Sequence, residues 1–311
     1  MLDVHRLRLL RELRLRGTIS AVAQALSYTP SAVSQQLAVL EREAGVPLLE
    51  RVGRRVRLTR QGEVLVGHAD IIMDQLDEAE ADLARSRDEV SGRVRIAMFQ
   101  SALHALLPDA LEALQTAHPK LRVEVEEREP SIGAEMLLTH DVDLALREEY
   151  PGEPLPTPPG LSFQELCRDG MSVAVPPHLA GRVREAWSGR TTIRDLALLA
   201  DQPWILDPKP ESPRTWVENL CLRAGFMPDT RYESVDVLSQ LRMVESGHAV
   251  AVVPDLMWLV HQPKAALFPI PGKPLRRRVV TAVRRGSAGH PAIRAVREAL
   301  RASVPAELRA E

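Results

Sequence analysis

The sequence predicts an α/β protein with an N-terminal winged helix-turn-helix, a long linker helix and a two-lobed α/β domain. Three observations indicate this division. Residues 1–60 hold eleven Arg against five acidic residues and two helical patterns separated by a tight turn. Residues 61–90 hold two Arg against nine acidic residues and a heptad repeat of apolar residues. The rest alternates strand-like and helix-like segments in two series, and 311 residues suffice for two or three domains.

The overall composition is that of an ordinary globular protein, with 45% hydrophobic and 26% charged residues. No run approaches the roughly 18 apolar residues of a membrane span. The N-terminal MLDVHRLRLLREL carries charges throughout, so we expect a cytoplasmic protein without a signal peptide or membrane partner. Cys167 and Cys221 are far apart and match no metal-ligand spacing. We expect both thiols to be reduced and buried, with a redox pair as the alternative, and we expect no metal or cofactor.

The basic first segment contains two short helices around a turn. Thr18 is a suitable N-cap for a helix that ends at Leu26, and Thr29 for a second helix with Pro30 at its first position. The second helix carries polar residues on the face that its apolar stripe leaves free. Such a pair is typical of a helix-turn-helix, whose second helix enters the major groove of DNA. An ordinary helical hairpin with a solvated polar face is the alternative.

The stretch RVGRRVRLT follows these helices and predicts a small β-hairpin, or wing. Val52, Val56 and Leu58 alternate around a basic tip at Arg54 and Arg55. A basic wing beside a helix-turn-helix is placed to contact phosphates or the minor groove, and a solvated run of charges is the alternative. The residues predicted to bind DNA are Thr18, Ser20, Thr29, Pro30, Ser31, Ser34 and Gln35 on the helices, and Arg51, Arg54 and Arg55 on the wing.

A long helical pattern runs from Arg60 to about Asp88. Its apolar residues recur at alternating spacings of four and three, which is a heptad seam and predicts a partner helix. Because the chain has no second such segment, we expect the partner to be another copy of it. A helix that packs on its own domain is the alternative. The predicted dimerisation residues are Leu65, Ala69, Ile72, Leu76, Ala79 and Leu83.

The C-terminal two-thirds reads as two α/β series joined by crossing segments, which predicts two lobes with a ligand cleft between them. The residues alone also fit a single doubly wound enzyme domain. An enzyme is not favoured, because we find no phosphate loop, GxSxG, HExxH or CxxC motif. Residues at strand ends and helix starts are the candidates for the cleft, although each also fits a helix cap or a surface polar group. They are Phe99, Gln100, Ser101, His104, Ser131, Arg147, Asp207, Ser234 and Asp236.

Two of these candidates predict a class of ligand. Ser101 opens a helix and Arg147 follows a strand of the same lobe, and a hydroxyl at a helix N-terminus beside a guanidinium suits a carboxylate. We therefore expect a small organic acid or an amino acid, with Asp207 or Asp236 of the other lobe available to its amino or hydroxyl group. The alternative is that Arg147 pairs with a neighbouring acid and meets no ligand.

The run GTISAVAQALSYTPSAVSQQLAVLEREAGVPLLERVGRRVRLTRQGEVL resembles the winged helix-turn-helix of bacterial LysR-type transcriptional regulators. Leu49 stands where the family usually has phenylalanine. Pro30 stands where many members have glutamine, so one common base contact is not expected here. The segments SALHALLPDALEAL, DVDLAL and VESGHAVAVVPDL resemble the family's effector-binding domain.

This resemblance implies a two-lobed periplasmic-binding-protein-like sensor domain. The expected divisions are a DNA-binding domain at 1–59, a linker helix at 60–90, a first subdomain at 91–166 and 269–303, and a second at 167–268. The expected partners are double-stranded promoter DNA with T-N11-A dyads, a small-molecule effector, RNA polymerase, and further copies of the chain in a homodimer or homotetramer. A DNA-binding protein without an effector, or an enzyme on a binding-protein-like fold, is the alternative.

Overall fold

The computed structural model describes residues 1–53, 55–87, 89–153, 156–259 and 263–309. Its N-terminal head contains α1 (Val4–Arg16), α2 (Ile19–Ala25) and α3 (Pro30–Ala44). Both predicted N-caps are confirmed: the Oγ1 atom of Thr18 accepts from the backbone N of Ala21 at 3.1 Å, and that of Thr29 from Ala32 at 3.2 Å. The helices enclose an apolar core formed by Leu7, Leu9, Leu10, Leu13, Val22, Ala23, Val33, Leu37, Leu40, Leu48, Val66 and Ala69.

The predicted wing is an antiparallel hairpin of β1 (Leu49–Val52) and β2 (Arg55–Leu58), in which Leu49 pairs with Leu58. Glu41 of α3 fixes its base, because the Oε1 atom accepts from the backbone N of Leu48 at 2.8 Å and of Leu49 at 3.0 Å. The wing is therefore held to the second helix of the helix-turn-helix. Arg54 and the side chain of Arg55 lie outside the described residues.

The linker helix α4 (Arg60–Arg85) packs partly against its own head. Ala69 is fully buried in the head core, and Leu65 and Ile72 pack against the same core. The prediction that Ala69 contacts another copy is therefore wrong. An apolar seam of this spacing can pack against any neighbouring helix. Here α1 of the same chain packs against the first half of the seam. Its second half is exposed, and the exposed apolar side chains of α4 include Val64, Ile71, Leu76 and Leu83.

The remaining chain forms two lobes. The first contains β3 (Gly92–Met98), α5 (Gln100–Ala117), β4 (Leu121–Glu127), α6 (Pro130–Leu138), β5 (Leu144–Glu149), the first part of β6 (Leu161–Val175), β11 (Arg276–Arg284) and α10 (Pro291–Ser303). The second contains the end of β6, α7 (Pro177–Ala186), β7 (Pro203–Leu206), α8 (Ser212–Ala224), β8 (Asp229–Glu233), α9 (Val237–Glu245), β9 (Ala251–Pro254) and β10 (Ala266–Pro269). Short 3₁₀ turns cover Ile193–Leu199, Asp255–Leu259, Gly286–Gly289 and Ala306–Leu308.

One mixed sheet, curled into a half-barrel, runs through both lobes in the order β10-β6-β11-β5-β3-β4, and β9 also pairs with β6. The long strand β6 pairs with β11 as far as Gly170 and with β9 from Met171 onward. The lobes therefore meet at Gly170–Met171, and residues 270–275 make the return crossing. Strands β7 and β8 form a separate parallel pair in the second lobe.

Charged contacts join the head and linker helix to the first lobe. The Nη2 atom of Arg16 donates to both carboxylate oxygens of Asp141 at 3.0 Å, and Arg284 Nε donates to Asp77 Oδ2 on α4 at 2.7 Å. His140 lies between these pairs, where burial and then the Arg284 and Arg11 charges lower its pKa to about 3. Its imidazole is therefore neutral at physiological pH. None of the helices in the described ranges is long and apolar enough to cross a membrane.

Two glycines in α4 give a matched test of the packing between the linker helix and the wing. A Cβ on Gly62 would overlap the backbone carbonyl of Leu48, whereas one on Gly67 would meet open space. We expect Gly62→Ala to lower the free energy of unfolding of the head by about 1–3 kcal/mol through overpacking. Gly67→Ala should raise it by about 0.5–1 kcal/mol through helix propensity. Denaturant titration of both variants measures this, and equal effects would contradict the packing described.

Candidate functional site

The predicted DNA-binding residues whose side chains are described are all exposed on the head. Ser31, Ser34 and Gln35 follow one another at the spacing of a single helical face on α3, and all three are exposed. Val33 and Leu37 on the opposite face anchor α3 in the head core. The exposed set with described side chains is Thr18, Ser20, Thr29, Pro30, Ser31, Ser34, Gln35 and Arg51. Short polar groups on a well-anchored helix can approach base edges closely.

The arginines of the head divide into paired and unpaired groups. In α1, Arg6 pairs with Glu43, Arg11 with Asp70, and Arg16 with Glu12 and Asp141. These side chains hold the head together and to its neighbours. Within the described ranges, Arg51 and Arg57 of the wing are exposed and lie in no ion pair. The wing therefore supplies part of the basic charge that is free for phosphates, and Arg42 and Arg60 are likewise exposed and lie in none of the ion pairs of the described residues.

A narrow cleft of about 560 Å³, counting the open solvent at its mouth, separates the two lobes. Walls from both lobes enclose it, as the sequence predicted. Four candidates from the sequence line it: Phe99, Gln100, Ser101 and Asp207. The other lining residues are Glu129, Pro130, Glu148, Tyr150, Met171, Pro213, Trp216, Val217, Val235, Val237, Gln240, Val252, Pro254 and Arg277.

Arg277 of β11 is the centre of a buried charge network on the floor of the cleft. Its Nε atom donates to Asp169 Oδ2 at 2.8 Å, Nη2 donates to Ser101 Oγ at 2.6 Å, and Nη1 bonds Glu148. The guanidinium also lies 5.1 Å from the centroid of the Phe99 ring. Burial alone would lower the pKa of Arg277, but the two carboxylates raise it above its usual value. Burial raises the pKa of Asp169 to about 6, although Arg277 opposes this.

Two further carboxyl groups face the cleft without a guanidinium of their own. Burial, followed by the charges of Glu211 and Glu148, raises the pKa of Glu129 to about 7. Burial, followed by the charge of Glu148, raises the pKa of Asp207 to about 7. A hydrogen bond from Gln240 Nε2 to Asp207 Oδ2 is long, at 3.4 Å. Both groups are therefore about half protonated near neutral pH.

Three candidate residues bridge the lobes. The Nε2 atom of Gln100 donates to Asp236 Oδ1 at 2.8 Å, and Gln100 Oε1 accepts from the backbone N of Val237 at 2.8 Å. Ser131 donates to Glu211 across the cleft, with a shortest distance of 3.2 Å. These bonds close one side of the cleft, so Gln100, Ser131 and Asp236 act on lobe position in this structure.

Three other candidates lie outside the cleft, which corrects the sequence interpretation. Both Nη atoms of Arg147 donate to the carbonyl of Pro156 at 3.2 Å, and its guanidinium lies 5.3 Å from the Phe163 ring centroid. Side chains alternate along β5, so Arg147 lies on the face away from the cleft and Glu148 faces it. Ser234 Oγ accepts from the backbone N of Asp236 and stabilises a turn. His104 is half-buried on α5 and does not line the cleft.

The sequence interpretation missed Glu129, Glu148, Tyr150, Gln240 and Arg277. Alternation of period two, counted from the buried Leu144 and Leu146, would have identified Glu148. The same alternation selects the middle arginine of RRR, because Arg277 shares a strand face with the buried Val279. Glu129, Tyr150 and Gln240 give no comparable signal, because tertiary packing brings them to the cleft.

The two cysteines are separate, free and buried, as predicted. Burial, and then the Asp169 charge, raises the pKa of Cys167 to about 12. Burial, and then the Glu218 charge, raises that of Cys221 to about 12. Both thiols are therefore protonated and unreactive at physiological pH. Within the described part of the chain, no group of three or more His, Cys, Asp or Glu could hold a metal ion.

Two family models match the chain. Residues 4–63 match the bacterial regulatory helix-turn-helix protein model of the lysR family, and residues 87–305 match the LysR substrate binding domain. The HTH-type transcriptional regulator PtxR of Pseudomonas aeruginosa is 30% identical over 243 residues, which are 78% of this chain and 73% of PtxR. The transcriptional dual regulator GltC of Bacillus subtilis is 26% identical, over 82% of this chain and 81% of GltC.

Solved structures show the same fold. A full-length OxyR variant from Pseudomonas aeruginosa superposes with a TM-score of 0.66 at 20% identity, covering 97% of this chain and 95% of that one. Full-length CbnR complexed with its target DNA gives a TM-score of 0.55 at 21% identity, covering 97% of this chain and 100% of that one. At these identities the likeness concerns the arrangement of head, linker and two lobes.

The charge network on the floor of the cleft makes a testable prediction. Arg277→Leu leaves Glu148 and Asp169 buried without their cation, so we expect a loss of about 3–5 kcal/mol in the free energy of unfolding at neutral pH. Arg276→Leu, at an exposed position of the same strand, should change it by less than about 0.5 kcal/mol. Because Arg277 lowers the pKa of Asp169, that pKa should lie above about 6 in the variant, so the deficit should shrink as the pH falls toward 6 and then level off. Denaturant titrations at several pH values measure it, and equal stabilities of the two variants would contradict the network.

Proposed function

Because the chain belongs to the LysR family of transcriptional regulators, we propose that it binds promoter DNA as a homo-oligomer and responds to a small molecule between its lobes. The main observation in support is that one chain contains both an exposed polar face on α3 and a cleft whose walls come from both lobes. DNA recognition and ligand recognition are thus physically connected. RNA polymerase is the further partner that this role requires.

DNA recognition is assigned to α3 and the wing. Ser31, Ser34 and Gln35 would meet base edges in the major groove, and Gln35 is suited to a bidentate contact with adenine. The free guanidinium of Arg51 would meet phosphate. The paired arginines of α1 would contribute mainly to the stability of the head.

Effector binding would act through the spacing of the lobes and through β11. This strand carries Arg277 at the cleft and Arg284 at the linker helix, where Arg284 pairs with Asp77. A ligand that changes lobe closure would therefore bias the contacts that hold the head and linker to the first lobe. Catalysis is not part of the proposal, because the relatives are regulators and the guanidinium of Arg277 is engaged with Glu148 and Asp169.

Sensing through cysteine oxidation is a second candidate, since one relative is a probable hydrogen peroxide-inducible genes activator of Mycobacterium avium, 27% identical over 239 residues. Burial of Cys167 and Cys221, with pKa values of about 12, argues against it, because the thiolate is the form that peroxide oxidises. The expectation of a carboxylate ligand also loses its basis, since Arg147 lies outside the cleft.

Self-association is assigned to the exposed apolar side chains of α4, where Val64 and Ile71 lie seven residues apart and Leu76 and Leu83 form a second such pair. An apolar groove continues from α4 toward the head, lined in part by Leu2 and Val46. Exposed apolar side chains along this length of helix favour a helical partner. A second copy brings an identical face, which suits a symmetric dimer, and paired dimers would give a tetramer.

Binding to the DNA upstream of its own coding sequence tests the proposed function as a whole. We expect a shifted band that persists against excess non-specific competitor DNA, and footprints spaced at one helical turn or its multiples. A small metabolite found by thermal-shift screening should then alter the footprint. The proposal would be overturned if an equal concentration of non-specific competitor DNA abolished binding.

The recognition helix is tested by Gln35→Ala. Loss of a bidentate base contact should cost about 1–3 kcal/mol at a selected site while leaving non-specific affinity unchanged. Gln164→Ala, at an exposed position far along the first lobe, is the control and should have no effect. Arg51→Ala should weaken all DNA alike and lower the salt slope by about one. Unchanged sequence preference in Gln35→Ala would refute this docking of α3.

The oligomer is tested by Ile71→Glu and Leu76→Glu. Each places like charges across a symmetric helix pair, so we expect dissociation into monomers in sedimentation velocity experiments. Leu222→Glu on α8 replaces another exposed leucine, away from α4, and should leave the dimer intact. Dimers of wild-type affinity in both linker variants would show that this face is not the interface.

A further inference from the structure

The cleft holds more acidic than basic groups. Three carboxyl side chains line it, those of Glu129, Glu148 and Asp207, against the single guanidinium of Arg277. That guanidinium already donates to Glu148, to Asp169 behind it and to Ser101. The one cation of the cleft wall is therefore balanced by two carboxylates. It is not available to a ligand carboxylate.

Glu129 and Asp207 are the two carboxyl groups that remain. Glu129 immediately precedes α6 of the first lobe, and Asp207 immediately follows β7 of the second, so one belongs to each wall. Within the described part of the chain, no side-chain hydrogen bond or ion pair joins Glu129 to another group. The carboxyl group of Asp207 receives one long hydrogen bond from Gln240, and Arg214 bonds only the backbone carbonyl of Asp207. Two partly buried carboxyl groups thus face one cleft from opposite sides without a cation between them.

The rest of the wall is apolar. Trp216 packs against Tyr150 in a tilted arrangement with ring centroids 4.9 Å apart, and the apolar lining includes Phe99, Pro130, Met171, Pro213, Val217, Val235, Val237, Val252 and Pro254. The space is small and narrow. A ligand that fits has a compact apolar body and a charged end directed at the two carboxyl groups.

On this basis, and given the proposed function, we propose that the effector is a small organic cation, an amine or amidine whose charged group lies between Glu129 and Asp207. A protonated amine has three donors, so it can bond a carboxylate on each lobe at once. It would replace repulsion across the cleft by two ion pairs and would favour closure. A carboxylate in the same place would meet three acidic groups.

The titration of these carboxyl groups gives the proposal a pH dependence. In the free protein the pKa of each is near 7, and a bound cation lowers both, so binding releases protons. Affinity should therefore rise between about pH 6 and pH 8 and then level off, because an aliphatic amine stays protonated to about pH 10. The other charged or titratable groups around the two carboxyls are Glu127, Glu148, Tyr150, Glu211, Arg214 and Arg277.

Thermal shift with matched probes on the full-length protein tests the proposal. Benzylamine and isobutylamine are compared with benzoate and isobutyrate, each at about 10 mM. We expect the amines to raise the melting temperature by about 2–4 °C near pH 8 and to have no effect near pH 5.5. The anions should have no effect at either pH. Stabilisation by the anions, or none by the amines near pH 8, overturns the proposal.

Isosteric variants locate the site. Glu129→Gln and Asp207→Asn each remove one carboxylate, so calorimetry with benzylamine should show affinity lowered about tenfold or more. Glu126→Gln and Asp201→Asn, at exposed positions nearby in the chain, should bind as the wild type. Wild-type affinity in both cleft variants overturns the proposal. If the anions bind in the cleft instead, the cation assignment fails and the proposed regulatory function stands, because the DNA-binding experiment decides that separately.

Discussion

The buried guanidinium of Arg277 is the constraint on which the two-lobed domain depends. It contacts Glu148 on β5, Asp169 on β6 and Ser101 on α5 at the junction between the lobes. A buried pair is a weak source of net stability, but breaking one is costly, because each partner would be left charged without solvent. The network therefore specifies how three elements meet. It also explains why a cleft with an arginine on its floor remains acidic.

Ligand selectivity in this cleft follows from which charges are already satisfied. Each nitrogen of Arg277 already donates to a protein group, whereas Glu129 and Asp207 are held partly protonated by burial and by neighbouring carboxylates. Counting charged residues alone would suggest a site for anions wherever an arginine appears. The hydrogen-bond partners of each group reverse that conclusion, since an occupied guanidinium offers a ligand little and an unpaired carboxyl offers it much.

Local signals in the sequence determined the head more completely than the cleft. Thr18 and Thr29 were recognised because an N-cap depends on the residues beside it. Arg147 was misplaced by one residue, since the strand was recognised but its alternation was not followed to Glu148. The spacing of Ala69 places it in the apolar seam of α4, but the spacing does not determine which helix packs against that seam. Glu129 and Asp207 lie about eighty residues apart in sequence, and only the folded lobes bring them to one cleft.

Strand β11 extends from the cleft to the linker helix. Arg277 and Arg284 lie seven residues apart on it, about 23 Å for an extended chain. At the far end Arg284 donates to the carbonyl of Val142 at 2.8 Å as well as to Asp77 on α4. Because β11 lies between β5 and β6 in the sheet, it cannot shift without moving both. Under the proposed function, a change in lobe closure would therefore displace the sheet as a unit, and the Arg284–Asp77 pair would pass that displacement to the helix that carries the DNA-binding head.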